Sequence, residues 1–314
     1  MKRIIPLMII LLVVLVGCGK QESTSITGTF IGGTQGVQTS LQTGSPPTEV
    51  FDKGNTAFDI DLKIQNVGES EIKAQDMQVK LIGLYPQDFG KTEADFTLTT
   101  QESITPKIKT PEGSVIEGGI TNLIFSNLNF KEELAGDQLF NPRLDICYKY
   151  NTRTVSKVCV LRDLLRESET SFCKVSEQKE IQNSGAPLQI TKVVESRSGT
   201  DKVALTIDIA NVGTGNVFRQ NNKCAQDTKD KNRVYITVDT GVTPGAICSG
   251  LRDEAGNTVQ SNQGYITLDE TGKATVTCTQ QVTTNTDFEK IVNLRLDYNY
   301  EQAQPFQLSV KHLS

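Results

Sequence analysis

Tryptophan is absent from this 314-residue chain, histidine occurs once, and aromatic residues make up only 6% of it. The scarcity of aromatic rings disfavours a carbohydrate-binding module, because such modules stack sugars on exposed aromatic side chains. The single histidine, His312, stands near the C-terminus, where fraying is the default. With no second histidine, no Gly-x-Ser-x-Gly and no His-Glu-x-x-His sequence, we expect no catalytic residue.

Metal ligands are equally scarce. No two cysteines stand at Cys-x-x-Cys spacing. The segment from Asp227 to Asn232 resembles a calcium loop, but two lysines interrupt it and a charged surface loop is favoured. Asp59 and Asp61 form the nearest carboxylate pair, and they fall on the polar side of an alternating segment, which favours a solvated strand face over a glycosidase pair. We expect no metal and no cofactor.

No long apolar run follows the N-terminal region. The run from Ile4 to Val16 has 13 residues and contains Pro6, whereas a spanning helix needs about 20 apolar residues. Removal of residues 1–17 leaves 30 basic and 37 acidic residues, a net charge of −7. This balance argues against a nucleic-acid partner, which would require a basic face.

The N-terminus has the organisation of an export signal. The basic pair Lys2-Arg3 precedes the apolar run, and Leu15-Val16-Gly17-Cys18 closes it. This spacing resembles the lipobox of prokaryotic lipoproteins, which implies cleavage before Cys18 and a lipid on its thiol. The resemblance predicts a lipoprotein signal peptide over residues 1–17 and a lipidated tether over residues 18–23. The mature protein is then anchored to the membrane outside the cytoplasm, at the cell surface or facing a periplasm. A plain cleaved signal peptide is the alternative.

Cysteine is comparatively plentiful. Besides Cys18, six cysteines remain, an even number that predicts a disulfide framework in an exported protein: Cys147, Cys159, Cys173, Cys224, Cys248 and Cys278.

The pairing of these cysteines is partly open. A hairpin that turns near Arg153 would set Cys147 opposite Cys159 on one outer face, within disulfide reach. The other four cysteines allow three pairings. Among them we favour Cys248–Cys278 across the core and Cys173–Cys224 near the entrance of the second domain.

Apolar residues alternate with polar ones along most of the chain. In the segment from Phe58 to Ile64, and again from Val203 to Ile209, every second residue is apolar, which indicates strands with one buried and one wet face. Turn signals separate many such short runs, and helical patterning is confined to a short charged stretch from Arg162 to Glu169. The sequence therefore predicts an all-β protein of antiparallel sandwiches.

The chain also repeats itself. The alternating strands end in Asn66-Val67-Gly68 and in Asn211-Val212-Gly213, and the matching segments Arg143–Tyr148 and Arg295–Tyr300 follow late in each half. Two matches in the same order predict two copies of one β-domain. We predict domain 1 over residues 24–165, a linker over residues 166–171 and domain 2 over residues 172–314, with each domain folding independently.

An alternating strand that ends in Asn-x-Gly resembles the CARDB-type, immunoglobulin-like domains of bacterial and archaeal surface proteins. The resemblance implies two tandem immunoglobulin-like sandwiches and a role in surface attachment, spacing or adhesion. It provides no catalytic residues. We expect Asn and Gly in this motif to adopt left-handed backbone angles that let the chain leave the strand sharply.

One loop is a candidate contact surface. Tyr85 and Phe89 lie in a turn-rich stretch, at a position where sandwich folds place binding loops. Burial of both rings as a cap on the core is the favoured alternative. Tyr148, Tyr298 and Tyr300 lie on apolar strand faces, which predicts that they belong to the core.

These observations favour a non-enzymatic surface lipoprotein that acts by binding or spacing, in adhesion, envelope assembly or partner scaffolding. Its expected partners are the membrane, through the N-terminal lipid, and an unidentified protein or envelope component. A ligand-binding lipoprotein that serves a transporter is the first alternative, and it would show a parallel sheet with a crevice between domains. A carboxylate-dependent hydrolase is the second, and it would show two carboxylates with divergent pKa values in a cleft.

Overall fold

The computed structural model describes residues 26, 28–220 and 228–313. The predicted signal peptide, the tether, Cys18 and Cys224 lie outside the described residues. Within them the fold is all-β, as predicted, and its strand pairs are antiparallel except for one short parallel pair.

The first half of the chain contains ten described strands. They are β1 (Val37–Leu41), β2 (Glu49–Phe51), β3 (Phe58–Asn66), β4 (Met77–Ile82), β5 (Thr97–Thr99), β6 (Ile108–Lys109), β7 (Val115–Ile116), β8 (Ile120–Leu128), β9 (Gln138–Phe140) and β10 (Arg143–Val160).

The second half contains twelve described strands. They are β11 (Glu177–Lys179), β12 (Gln182–Asn183), β13 (Leu188–Arg197), β14 (Lys202–Asn211), β15 (Asn216–Phe218), β16 (Arg233–Asp239), β17 (Ala246–Arg252), β18 (Thr258–Ser261), β19 (Gln263–Thr267), β20 (Lys273–Gln281), β21 (Phe288–Pro305) and β22 (Leu308–Lys311). Short 3-10 turns occupy Pro86–Phe89, Leu164–Arg166 and Thr228–Asp230.

The two halves repeat the same strand order. The first half contains one sheet with the strand order β1-β3-β8. It also contains a run of paired strands in the order β5-β4-β10, which belongs to a second sheet. The second half contains the corresponding runs of paired strands, β13-β14-β20 and β19-β16-β21. Strands β3 and β14, which carry the two alternating segments, bury their apolar residues on one face and leave the polar ones half-buried or exposed. This repeated order is the structural counterpart of the repeat in the sequence.

The halves are joined by one continuous sheet. Strands β10 and β21 pair antiparallel over 18 residues, from Arg143 opposite Pro305 to Val160 opposite Phe288. Strand β10 therefore does not turn near Arg153, and the hairpin predicted there is wrong. The two predicted domains share this sheet, because the pairing connects β5-β4-β10 to β21-β16-β19.

Two further connections cross the predicted linker. Strand β22, at the C-terminus, pairs with β2 and β9 of the first half. His312 Nδ1 lies 2.8 Å from Asp52 Oδ2, so the C-terminal segment is held in place. Burial alone would raise the pKa of Asp52, but hydrogen bonds from the Leu313 N–H, His312 and the Leu134 N–H outweigh burial and lower that pKa to about 2. Residues 166–171 thus connect two halves whose strands pair with each other in two different sheets.

Four buried tyrosines occupy the centre of the shared sheet. Tyr148 lies opposite Tyr300 with ring centroids 5.9 Å apart, and Tyr150 lies opposite Tyr298 at 6.5 Å. Each is at most 2% exposed, which confirms the predicted core positions of Tyr148, Tyr298 and Tyr300. Burial raises the pKa of all four phenols.

One tyrosine in each half binds the Asn-Val-Gly segment. In the first half the Tyr150 hydroxyl donates to Asn66 Oδ1 at 3.1 Å, and the Gly68 N–H donates to the same oxygen at 3.3 Å. Asn66 Nδ2 donates to the Ser70 carbonyl at 2.8 Å, while the Ser70 N–H donates to the Tyr150 hydroxyl at 3.3 Å. The four groups form a closed network, which we call the tyrosine–asparagine lock.

The second half repeats this lock with the same four contacts. The Tyr300 hydroxyl and the Gly213 N–H both donate to Asn211 Oδ1 at 3.3 Å. Asn211 Nδ2 donates to the Gly215 carbonyl at 2.8 Å, and the Gly215 N–H donates to the Tyr300 hydroxyl at 2.7 Å. Tyr150 and Tyr300 are therefore equivalent, two residues away from the alignment that the Arg-Leu-Asp segments suggest.

The lock corrects the role assigned to glycine. None of Asn66, Gly68, Asn211 and Gly213 has a positive φ, so the expected left-handed angles are absent. A Cβ on Gly68 would overlap the Tyr150 hydroxyl, and a Cβ on Gly213 would overlap the hydroxyl of Tyr300. Glycine is required because the tyrosine approaches the backbone too closely for any side chain.

Candidate functional site

Four of the described cysteines form two disulfides. Cys248 bonds to Cys278, which confirms that predicted pairing. The bridge joins opposite residues of the neighbouring strands β17 and β20 in one sheet, so the expectation that it crosses the core is wrong. Cys159 bonds to Cys173, so the predicted bridges Cys147–Cys159 and Cys173–Cys224 are wrong. Because β10 runs straight through Arg153, Cys159 lies far along the strand from Cys147 and meets the segment that follows the linker instead.

Cys147 is also disulfide-bonded, so all five described cysteines are oxidised. Cys147 is 6% exposed, so the outer strand face predicted for it is covered. The Cys159–Cys173 bridge closes a loop around residues 166–171 and joins the two halves covalently.

The predicted contact pair Tyr85 and Phe89 is divided by the structure. Tyr85 is 75% exposed, whereas Phe89 is 1% exposed. Phe89 packs edge-on against Phe58, Phe130 and Phe140 with ring centroids 5.3 to 6.2 Å apart. Phe89 is a core residue, as the favoured alternative predicted, and it does not belong to a binding patch. For Tyr85 the expected burial is wrong, and the ring remains available at the surface.

A cleft of about 600 Å³ lies at the junction of the two halves. Its floor is the outer face of the shared sheet, where Arg153 of β10 lies opposite Arg295 of β21 and Thr237 of β16 lies opposite Arg295. Residues from two segments distant in sequence also line it: Thr29, Phe30, Pro106, Lys107, Ile108 and Lys109. No motif marks this site, because its residues come from six separate stretches of the chain.

Cationic side chains outnumber carboxylates in the lining of the cleft, four to two. The guanidinium of Arg153 lies 5.4 Å from the centroid of the Phe30 ring, and Arg295 is bonded to Asp297 at 2.7 Å. Lys107 pairs with Glu117 at 2.9 Å, and Lys109 donates to the Gly28 carbonyl at 3.0 Å. The lining also includes the apolar side chains of Phe30, Ile108 and Leu294. Basic and apolar groups together suit a ligand that combines an anionic group with an apolar part.

Glu69, one of the two lining carboxylates, has a structural role. Its oxygens accept hydrogen bonds from the N–H groups of Ile31 at 3.1 Å, Gly32 at 2.9 Å and Gly185 at 2.7 Å. The side chain thereby ties the N-terminal segment to the loop between β12 and β13 of the second half. The three backbone hydrogen bonds give Glu69 a role in holding the fold together.

Asp59 and Asp61, the carboxylate pair noted in the sequence, also accept hydrogen bonds, one from a backbone N–H and one from a side-chain amide. Asp59 Oδ1 accepts from the Asn127 N–H at 2.7 Å, and Asp61 Oδ1 accepts from Asn122 Nδ2 at 2.8 Å.

Across the described ranges, no group of three or more His, Cys, Asp or Glu side chains is arranged to hold a metal ion. Among those same residues, no helix is long and apolar enough to span a membrane.

A buried ion pair supports the covalent junction between the halves. Glu195 is fully buried, and its Oε2 accepts from the Cys159 N–H at 2.9 Å and lies 3.0 Å from Lys179 Nζ. Its Oε1 has no hydrogen-bond partner within the described part of the chain. Burial raises the pKa of Glu195 to about 7, against the lowering effect of Lys179.

This pKa predicts a pH-dependent stability. Because the folded-state pKa lies above the unfolded value of 4.5, protonation favours the folded state, and the gain is lost as pH rises towards 7. A shift of this size corresponds to about 3 kcal/mol. In the wild type, we expect the free energy of unfolding, measured with denaturant, to fall by about this amount as the pH rises towards 7. In Glu195→Gln, this part of the pH dependence should be absent. Glu177→Gln, which removes the exposed partner of Lys179, is the control, and parallel wild-type and Glu195→Gln curves would contradict the assignment.

Comparisons with known proteins give no family. No family model matches the chain, and no curated protein matches it. Among solved structures, a serine-rich repeat adhesion glycoprotein of Streptococcus agalactiae is 10% identical with a TM-score of 0.20, covering 92% of this chain and all of that one. A secreted serine protease of Vibrio cholerae is 9% identical with a TM-score of 0.16, covering 82% of this chain and 48% of that one. Likenesses this weak carry no argument about function.

Proposed function

We propose that this chain is an extracytoplasmic lipoprotein that acts by binding or spacing rather than by catalysis. The observation that carries the proposal is the oxidation of all five described cysteines. Disulfides persist in oxidising compartments outside the cytoplasm. Together with the lipobox-like segment ending at Cys18, this supports a mature protein held on the outer side of a membrane by lipid.

The cleft at the junction of the halves supports binding as the mode of action. Its described lining includes threonine hydroxyls and basic groups but no serine, cysteine or histidine to serve as a nucleophile or base. Of its carboxylates, Glu69 already accepts three backbone hydrogen bonds. The carboxylate-dependent hydrolase is therefore disfavoured as the alternative function.

The transporter-associated receptor is the second candidate, and the cleft between the halves is the observation that favours it. The antiparallel sheet continuous across the halves is unlike the parallel sheet expected of that class. Adhesion, envelope assembly and partner scaffolding are consistent with a β-rich molecule that presents the exposed Tyr85 and this cleft. We therefore favour the binding and spacing roles over solute capture.

Replacement of Cys18 tests the proposal. A Cys18→Ser protein is expected to lose lipid attachment, because serine has no thiol to acylate, and either to leave the membrane fraction or to accumulate as a precursor. Membrane fractionation and the mass of the N-terminal peptide distinguish these outcomes. Ser23→Ala, in the predicted tether, is the matched control and should fractionate as the wild type. A Cys18→Ser protein with unchanged fractionation and an unchanged N-terminal lipid-bearing mass would refute the anchor.

A further inference from the structure

The two halves differ in how they protect one equivalent sheet edge. In the second half, β20 is covered by β17, with Ile247 opposite Thr279 and Ser249 opposite Thr277. In the first half, the equivalent strand β8 pairs only with β3, so its other edge has no partner strand among the described residues. The connection between β4 and β5 forms a 3-10 turn rather than a covering strand.

The backbone groups on this edge can be assigned from the pairing. The Asn66 N–H donates to the Gly119 carbonyl at 3.0 Å, and the Asn211 N–H donates to Gly272 at 2.8 Å in the second half. Antiparallel pairing alternates, so Ile120, Asn122 and Ile124 direct their N–H and C=O groups away from β3. By the same alternation Thr277, the equivalent of Ile124, directs its groups towards β17.

The uncovered edge has the composition of an interaction surface. Strand β8 is nine residues long and contains no charged residue and no proline. Ile120 is 55% exposed and Ile124 is 45% exposed. Edge strands that must stay unpaired are usually short, charged or interrupted by proline. A groove of about 300 Å³ runs beside Ile124 and Phe125 on the side that faces the β4–β5 connection.

We propose that this edge pairs with a second copy of the chain, β8 against β8, in a two-fold symmetric dimer. The molecule already uses this arrangement internally, since β10 and β21 are equivalent strands that pair antiparallel about Lys149 and Asn299. A two-fold axis at Asn122 sets Ile120 of each copy opposite Ile124 of the other. Both exposed isoleucines are then covered, and the backbone groups of β8 that point away from β3 gain a partner strand.

Charge does not oppose this pairing. On the same sheet face, the neighbours on β3 are Lys63 beside Asn122 and Asp61 beside Ile124. In the dimer, the two Lys63 side chains are separated by three strand spacings, about 14 Å. That separation exceeds the Debye length of roughly 8 Å at physiological salt, so their repulsion is screened.

The mass of the purified full chain in density-matched detergent, measured by sedimentation over a concentration series, tests the proposal. The wild type should show the mass of two chains, and Ile124→Lys, which places a charge at the pairing edge, should show the mass of one. Thr277→Lys makes the same change at the equivalent position, where β17 already covers the edge, and should remain dimeric. Circular dichroism and melting show whether each variant folds.

Hydrogen exchange identifies the interface independently of mass. In the wild type, the N–H groups of Asn122 and Ile124 should both be protected from exchange. In Asn122→Lys, a second edge variant, the Ile124 N–H should exchange rapidly. The Leu123 and Phe125 N–H groups face β3 and should stay protected in both proteins. A wild type that is monomeric at every concentration, a dimer that survives both edge variants, or an Ile124 N–H that exchanges freely would overturn the proposal.

Discussion

Residues 172–314, expressed alone under oxidising conditions, are expected not to fold into a cooperative β structure. Without the first half, β21 loses its 18-residue pairing with β10, and β22 loses its partner strands β2 and β9. It also exposes the ring faces of Tyr298 and Tyr300 that contact Tyr148 and Tyr150. Far-UV circular dichroism and the sharpness of thermal unfolding measure the effect.

A nicked full-length chain is the control for this prediction. A protease site inserted within residues 166–171 cuts the chain at the same place but leaves both halves joined by Cys159–Cys173. The nicked protein should melt like the intact one, and it should separate on gels only after reduction. A fragment of residues 172–314 that melts cooperatively on its own would show that the shared sheet is dispensable.

Gly68→Ala is expected to destabilise the protein by about 3 kcal/mol or more. The added methyl group overpacks the site, and it also displaces the Tyr150 hydroxyl from the hydrogen bonds of the lock. The new Cβ would overlap the Tyr150 hydroxyl and lie 2.5 Å from the Gly185 carbonyl oxygen. Gly213→Ala should cost a similar amount, because its Cβ would overlap the Tyr300 hydroxyl and lie 2.8 Å from Pro187 Cβ. Denaturant unfolding measures both.

The control for the two glycine variants is Gly136→Ala. No atom lies within 4 Å of a Cβ at Gly136, and its φ is not positive. A surface change of this kind should alter the free energy of unfolding by less than about 0.5 kcal/mol. If Gly68→Ala and Gly213→Ala are as stable as Gly136→Ala, the tyrosine–asparagine lock does not constrain the fold as described.

Local pattern was sufficient for the strands whose two faces differ. The alternation at Phe58 to Ile64 and at Val203 to Ile209 predicted β3 and β14, since each has one buried and one wetter face. The same reasoning failed for β10. Its polar residues Asn151 to Thr154 suggest a turn, but two of them form hydrogen bonds with distant segments of the chain. Arg153 donates to the Glu69 carbonyl, and Thr154 Oγ1 donates to Asn183 Oδ1 at 2.6 Å.

The repeat was visible in the sequence, but its structural register was not. The segments Arg143–Asp145 and Arg295–Asp297 match because each forms an ion pair between alternate residues on one strand face. The tyrosines that hold the Asn-Val-Gly segments are Tyr150 and Tyr300, which are offset by two residues from that match. Their partners lie more than 80 residues away, so no local pattern could align them.

The candidate cleft was not predictable for the same reason. Arg153 and Arg295 meet only because β10 and β21 pair, and Phe30 reaches Arg153 from the N-terminal segment. The disulfide Cys248–Cys278 was predictable, because it joins strands of one half. The bridge from Cys159 to Cys173 was missed because the predicted hairpin gave Cys159 a nearer partner.

The chemical state of Cys18 and Cys147 is the most direct test of the central claim, that a lipid at Cys18 anchors a fully oxidised protein outside the cytoplasm. Cys147 is disulfide-bonded, and the other four described cysteines bond to one another. A lipid on Cys18 therefore leaves Cys224 as the partner of Cys147. Mass spectrometry of unreduced peptides from the membrane-extracted protein should find a lipid-bearing N-terminal Cys18 and a Cys147–Cys224 peptide. A Cys18–Cys147 peptide, or free thiols at Cys147 and Cys224, would contradict the account.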